Sequence, residues 1–299
     1  VDGSINIKEL LSSFAQLAVF ATLLSMGLVL GFSGMARLWR QPGLLLRSVI
    51  AAFVIVPLAA MILVWVLPLS FEVRAGIAAM AVIPGAPFTY RKMLKGAGDP
   101  ELAGSFQATM ALLAIVLVPL WLAILAALYP NDASASVAVV GRQILMVQGI
   151  PLICGAAIRQ WLPDLAEEFA EPLNRISSAM LVGLVVLVLA IGLAMVLKAG
   201  PLAILAGVLM AAAALVAGHY LGGPDPLTRQ TIAQATASRN AGLALALITL
   251  NFPNVAHEIL VTIATYAVMT AIASKIYVRL YQKQLAKVAP PSEMTPGLE

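Results

Sequence analysis

The residues Pro84-Gly85-Ala86-Pro87-Phe88-Thr89-Tyr90-Arg91 interrupt an apolar segment, 73–95, that is otherwise long enough to cross a bilayer. A crossing helix needs about 20 predominantly apolar residues. Pro84 and Pro87 cannot both sit in an unbroken helix, because each deletes a backbone donor and crowds the preceding turn. Unwound backbone at membrane depth must be buried in protein or line a wet cavity, since hydrocarbon solvates neither N–H nor C=O. That reading predicts an all-α polytopic membrane protein with a discontinuous third span. A Pro kink with a few interhelical hydrogen bonds is the plainer alternative.

A second interruption lies five spans later, in segment 227–250, at Gln234-Ala235-Thr236-Ala237-Ser238-Arg239-Asn240-Ala241-Gly242. The polar side chains of Gln234, Thr236, Ser238, Arg239 and Asn240 have no lipid-facing role there. Spans five apart cross in opposite directions, as an inverted repeat would place them, with substrate held at mid-bilayer between two broken helices.

Outward from these two segments the chain divides into about nine candidate spans: 11–34, 43–68, 73–95, 101–128, 136–161, 173–197, 201–222, 227–250 and 255–281. Short clusters such as Gly96-Ala97-Gly98-Asp99-Pro100 and Gly222-Gly223-Pro224-Asp225-Pro226 separate them, and no linker is long enough to divide domains. Residues 1–10 read as an external N-terminal segment, 11–283 as one transmembrane transporter domain, and 284–299, with Pro290-Pro291 and Pro296-Gly297, as a disordered cytoplasmic tail. Asp2, Lys8 and Glu9 mix their signs in a way no signal peptide does, so the first apolar run is expected to be retained.

Composition agrees with a bilayer. Hydrophobic residues make up 61% of the 299 positions and charged residues 11%, with a mean hydropathy of +0.97. A soluble domain carries about a quarter charged residues. The basic residues sit between apolar runs and form no patch suited to nucleic acid. Alternate loops hold thirteen and four of the eighteen Lys and Arg residues, with Arg239 in neither set. Positive loops stay cytoplasmic, which places the N-terminus outside and the C-terminus inside a plasma or inner membrane. Cys154 is the single cysteine, so neither an internal disulfide nor a cysteine metal cluster is available. No His-Glu-x-x-His, Gly-x-Ser-x-Gly or phosphate loop occurs, and no enzyme or cofactor is expected.

Arg239 is the most informative residue. A charge at the bilayer centre costs about 2.5 to 3.5 kcal/mol on insertion scales and faces a bundle interior, a cavity or a partner. No acidic residue occurs between Leu227 and Phe252 to pair with it inside its own segment. An interhelical ion pair or a cap on broken-helix carbonyls is the structural reading; an anion site is the functional one. Arg91 reads either as a second anion contact or as a cytoplasmic anchor beside Lys92 and Lys95, and Tyr90 as a substrate contact or a carbonyl cap. His257-Glu258 and His219 read as interfacial, with proton coupling the lesser alternative for the pair. Asp164, Glu167, Glu168 and Glu171 read as a solvated acidic loop.

Met26-Gly27-Leu28, Pro57, Pro84-Gly85, Gly98-Asp99 and Asn240-Ala241-Gly242-Leu243-Ala244-Leu245-Ala246 together resemble the bile acid:sodium symporter superfamily, over about Met26 to Lys283. The resemblance implies two inverted repeats, a core and a panel domain, and two broken helices that cross at the substrate site. Some members lack the first helix, and nine spans fit that shorter form. It also implies where sodium would bind, and there this chain departs from the pattern. The Ser and Asn of the family's Pro-Gly-Gly-x-x-Ser-Asn run are Thr89 and Tyr90. The Glu and Gln-Asn of the second broken helix are Ala235, Arg239 and Asn240. The Gln of the preceding span and the Ser and Thr of the following one are Ala52, Ala103 and Gln107, so only Asn240 is unchanged and Thr89 is a conservative replacement.

The carboxylate is gone and a guanidinium has arrived. The expected function is therefore a sodium-independent secondary transporter of a small organic anion. Arg239, Asn240, Ser238, Thr89, Tyr90, Gln107, Arg91, Thr236 and Gln234 are the candidate substrate contacts, and Pro84, Gly85 and Pro87 make the first break. The half-helix N-termini near Pro87 and Asn240 are expected to add partial positive charge. No metal site is expected. A proton-coupled carrier, a channel-like facilitator and a receptor that binds without transport are the alternatives on the same fold.

Overall fold

The computed structural model describes residues 7–85, 89, 90, 93, 98–128, 137–198, 200–251 and 256–288. Among them the chain is helical and forms no strand. The helices are α1 (Ile7–Met35), α2 (Pro42–Val66), α3 (Phe71–Val82), α4 (Pro100–Leu128), α5 (Val137–Ile144 continuing through Ile150–Trp161), α6 (Pro163–Lys198), α7 (Gly200–Leu221), α8 (Pro226–Ala237), α9 (Ala241–Asn251) and α10 (Ala256–Val288).

Among the described residues six stretches are long and apolar enough to cross a membrane: Ser13–Met35, Pro42–Val66, Pro100–Ala127, Ala138–Trp161, Gly200–Leu221 and Ile259–Ala286. Two of the nine expected segments fall short because they are broken. α3 and α8 have 12 residues each and α9 has 11. At 1.5 Å per residue a 12-residue helix reaches about 18 Å, little more than half the hydrocarbon thickness. α6 has 36 residues, but most side chains of its second half lie outside the described ones. Its first turns hold Asp164, Glu167, Glu168 and Glu171, which are exposed as expected, although on a helix rather than in a loop. Helical geometry suits them, because Glu171 pairs with Arg175 one turn on and Glu167 lies 3.6 Å from Arg159. α1 starts at Ile7 and α10 runs to Val288, each beyond the expected domain limits; residues 289–299 are outside the described part.

Large apolar side chains face outward along these helices, with Trp65 84% and Val116 67% exposed. Such a belt is what lipid contact requires and what water would penalise. Inside, one apolar core joins α2, α3, α4 and α7 to α10 and takes in Val140 and Ile144 from the first part of α5. A second, smaller one joins α1 and α5 to one face of α4. The α1–α5 crossing is close because two glycines meet there. A Cβ on Gly155 would lie 2.2 Å from Leu24 O, and one on Gly27 would lie 2.4 Å from Leu152 O. Small residues at a crossing let backbones approach where lipid offers no hydrophobic drive for association.

α2 is not regular. Across Ala51–Ile55 it widens to a π turn, in which Val56 N–H bonds Ala51 O. The next residue is Pro57, which has no N–H. Ala52 O is thereby left without its helical donor. Phe53 O, whose α-helical donor would have been Pro57, accepts instead from Trp121 Nε1 at 2.7 Å. α5 has the same layout, a π turn at Leu145–Gly149 just before Ile150-Pro151. Asp225 caps α8, accepting from Thr228 N–H at 2.7 Å. Hydrogen bonding from Thr228, side chain first and backbone second, holds this carboxyl below the ordinary aspartate range.

Candidate functional site: the meeting of two broken helices

The two interruptions meet. α3 stops at Val82, Ile83 turns extended (φ −110°, ψ 82°) and Gly85 takes φ 84°, a conformation open to glycine at little cost. α8 stops at Ala237, and Ser238 is extended at φ −75°, ψ 112° before α9 begins. Pro84 and Arg239 lie opposite each other in an antiparallel bridge, and Asn240 N–H donates to Ile83 O at 3.1 Å. In this register the bridged residues form the pair whose own N–H groups are not called on, so proline is tolerated.

Each break exposes backbone groups, and the side chains around it serve them. Arg239 is 4% exposed, and its Nη1 donates both hydrogens to backbone carbonyls, Ala52 O at 2.9 Å and Ala81 O at 3.0 Å. The first is the carbonyl orphaned by the π turn and Pro57; the second belongs to the last turn of α3. Gln107 Nε2 donates to Gly85 O. Tyr266 donates to Ala237 O at 2.8 Å and closes α8. Asn240 Oδ1 accepts from Leu243 N–H at 3.0 Å and caps α9, so one N-terminal donor of that half-helix is already taken.

Several polar atoms here remain unserved. Arg239 Nε and Nη2, Asn240 Nδ2, Thr89 Oγ1 and Thr236 Oγ1 are buried without a hydrogen bond. The Tyr266 hydroxyl donates its hydrogen to Ala237 O and turns its oxygen, an acceptor, toward the guanidinium. Among the described residues no carboxylate pairs with Arg239. Ala52, Ala103 and Ala235, which stand where the resemblance implies oxygen ligands, are buried methyl groups. Among the described residues no cluster of His, Cys, Asp or Glu is placed to hold a metal.

The structure therefore gathers Arg239, Asn240, Thr89, Thr236 and Gln107 at or beside the junction and commits part of several of them to the backbone. Ser238 is half-buried, its N–H bonded to Gln234 O at 3.0 Å. Gln234 faces Met93 Sδ at 4.0 Å and Gln230 O at 3.5 Å. Tyr90 packs its ring near Gly104. Arg91 and Pro87 lie outside the described residues, as do the side chains of His257 and Glu258. Asp99 is structural: it pairs with Arg37, its carboxylate accepts from Leu102 N–H at 3.0 Å, and its own N–H donates to Thr231 Oγ1 at 2.8 Å. His219 Nδ1 lies 2.8 Å from the Tyr277 hydroxyl in an aromatic cluster with Tyr281.

Sequence reading passed over Tyr266, Ser25 and Gln148. Gln148 sits in the α5 π turn, fully buried, with neither amide atom hydrogen-bonded, and Ser25 Oγ on α1 is likewise unserved. The available signal was a lone polar residue in the interior of an apolar span.

A family model described as Sodium Bile acid symporter family matches residues 16–199, more than half of the 299 residues. The chain belongs to the sodium bile acid symporter family. The match includes the first break and ends before the second. A search of curated proteins finds no match. Membership, with the apolar helices, indicates an integral membrane protein and points to a membrane transporter, in keeping with an expectation of no enzyme.

Proposed function

We propose that this member of the sodium bile acid symporter family is a secondary transporter of a small organic anion that works without sodium, with Arg239 as its built-in cation. The observation that carries the reading is the split use of one guanidinium. Nη1 is bonded to two carbonyls, Ala52 O and Ala81 O, much as a bound cation would be. Nε and Nη2 make the side-on fork that matches a carboxylate, and both are buried without a hydrogen bond. One side of the group holds the two broken helices together, and the other is left for an anion. A cation arriving at the vacated sodium position would meet this fixed charge at low dielectric, where repulsion is strong.

In this reading Asn240 Nδ2, Thr89 and Thr236, buried without hydrogen bonds, serve the substrate beside the fork, with Gln107, Ser238, Gln234, Tyr90 and Arg91 completing the set. Ser25 and Gln148 would meet the same substrate from α1 and α5. In this reading α1, α5 and α6 form a panel and the remaining helices a core, nine spans in all when each broken pair is counted as one; the smaller apolar core, where α1 meets α5, supports pairing those two. Rocking the core against the panel would expose the junction to each side in turn. Inverted repeats, an outside N-terminus and a cytoplasmic C-terminus complete this reading, the last two from the bias of Lys and Arg among the loops.

Uptake of labelled carboxylates and sulfonates into proteoliposomes, with sodium replaced by choline, tests it. Uptake is expected to be equal in the two salts and to stop in Arg239→Met. Uptake that vanishes in choline would overturn the proposal.

A further inference from the structure

A cavity lies apart from the junction's unserved polar atoms. It opens among α2, α3 and α4, with Ile248 of α9 and Ile259 of α10 on one side, and its volume is about 120 Å³. Ligand pockets are mostly apolar, with a few polar groups that fix orientation. Met61, Val64, Ala78 and Leu125 are typical of its wall. Arg74 is the one charged residue lining it among the described residues, and it sits in the first turns of α3. At the other end of α3 the lining includes Ala81, whose carbonyl Arg239 holds. Arg239, Asn240, Thr89 and Thr236 are not in the wall.

Length and charge together define the occupant. Arg74 and Ala81 are seven residues apart on one helix, about 10.5 Å at 1.5 Å per residue. An extended chain advances roughly 3.5 Å for every three bonds, so about nine bonds fill that length. An apolar cavity of this kind stays dry and takes apolar ligands, while a guanidinium at one end selects an anionic head. Ile62 and Trp65, exposed beside lining residues of α2, give an apolar approach from lipid. We propose that this cavity binds a single-chain amphiphilic anion of about ten carbons, its carboxylate or sulfate head at Arg74 and its chain end beside Trp121, as a site separate from the junction of the broken helices.

Trp121 reports the deep end, because its indole is bonded to Phe53 O, next to the Ala52 carbonyl that Arg239 holds. The full chain carrying Trp39→Phe, Trp65→Phe and Trp161→Phe leaves Trp121 as the single tryptophan. Titration of this protein in detergent with decanoate brominated at its terminal carbon is expected to quench Trp121 saturably, and more strongly than decanoate brominated beside the head. Decanol, as competitor, is expected to displace it at least tenfold less well than decanoate. Arg74→Gln should weaken binding about tenfold, the loss of one charge-assisted contact, and Ala78→Phe and the milder Ala78→Leu should abolish it. Quenching that rises without saturation, that is equal for both bromine positions, or that is unchanged in an Ala78 variant melting like the parent would overturn the proposal. Equal competition by decanol and decanoate would do the same.

Discussion

Replacing Arg239 by methionine keeps most of the side-chain length and removes every donor and the charge. Two carbonyls, Ala52 O and Ala81 O, lose their partner. Leaving a buried polar group unpaired costs about 1–3 kcal/mol, or about 2–6 kcal/mol for the two. Against this, a charge held in the bilayer interior costs about 2.5–3.5 kcal/mol on insertion scales, and the substitution recovers it. The two effects largely offset, so Arg239→Met should fold and melt close to the parent. Anion binding has no such compensation. Two charge-assisted bonds from Nε and Nη2, worth about 1.5–3 kcal/mol each, would be lost. A loss of about 3 kcal/mol is roughly a hundredfold in affinity. Thermal-shift titration with a panel of carboxylates and sulfonates measures both quantities on one sample. A variant that melts like the parent and binds the same anion with undiminished affinity would show that the guanidinium serves only the backbone. Arg239→Lys should fall between the two, because a point charge cannot reproduce the fork.

Gly155→Ala puts a Cβ 2.2 Å from Leu24 O, a contact with backbone that no rotamer relieves, and should lower stability by at least about 1–3 kcal/mol in thermal unfolding in detergent. Trp121→Phe leaves Phe53 O without its donor beside Pro57 and should cost about 1–3 kcal/mol in the same assay. Asp225→Ala removes the cap of α8 and should cost about 0.5–2 kcal/mol. The Asp225 pKa is depressed on folding, so the cap's contribution is fully present above the unfolded value of 3.8 and is lost as pH falls through the lower folded value. Parent and Asp225→Ala should accordingly differ by a constant amount at neutral pH, and the gap should close in strongly acidic buffer.

The sequence alone determined the medium, the helical class and the two places where the chain breaks. Those follow from local chemistry: apolar length requires lipid, two prolines forbid a continuous helix, and five polar residues at mid-span need company other than hydrocarbon. The family was legible too, because its motifs keep their order along the chain. Tertiary structure alone decided what the junction does with its side chains. Nothing in the sequence marks Ala52 O as lacking a donor, since that depends on a π turn falling just before Pro57 and on Arg239 arriving from 187 residues away. The same holds for Gln107, which reads as a substrate contact and proves to hold Gly85 O, and for Tyr266, which closes α8 from α10. The acidic run at Asp164 to Glu171 reads as a loop because charge hides its periodicity, whereas it forms the first turns of α6, where Glu171 pairs with Arg175 one turn on. Hydrophobic length is summed along the chain, but a backbone group in a membrane must find its partner in space, and that search crosses helices in ways no local pattern records.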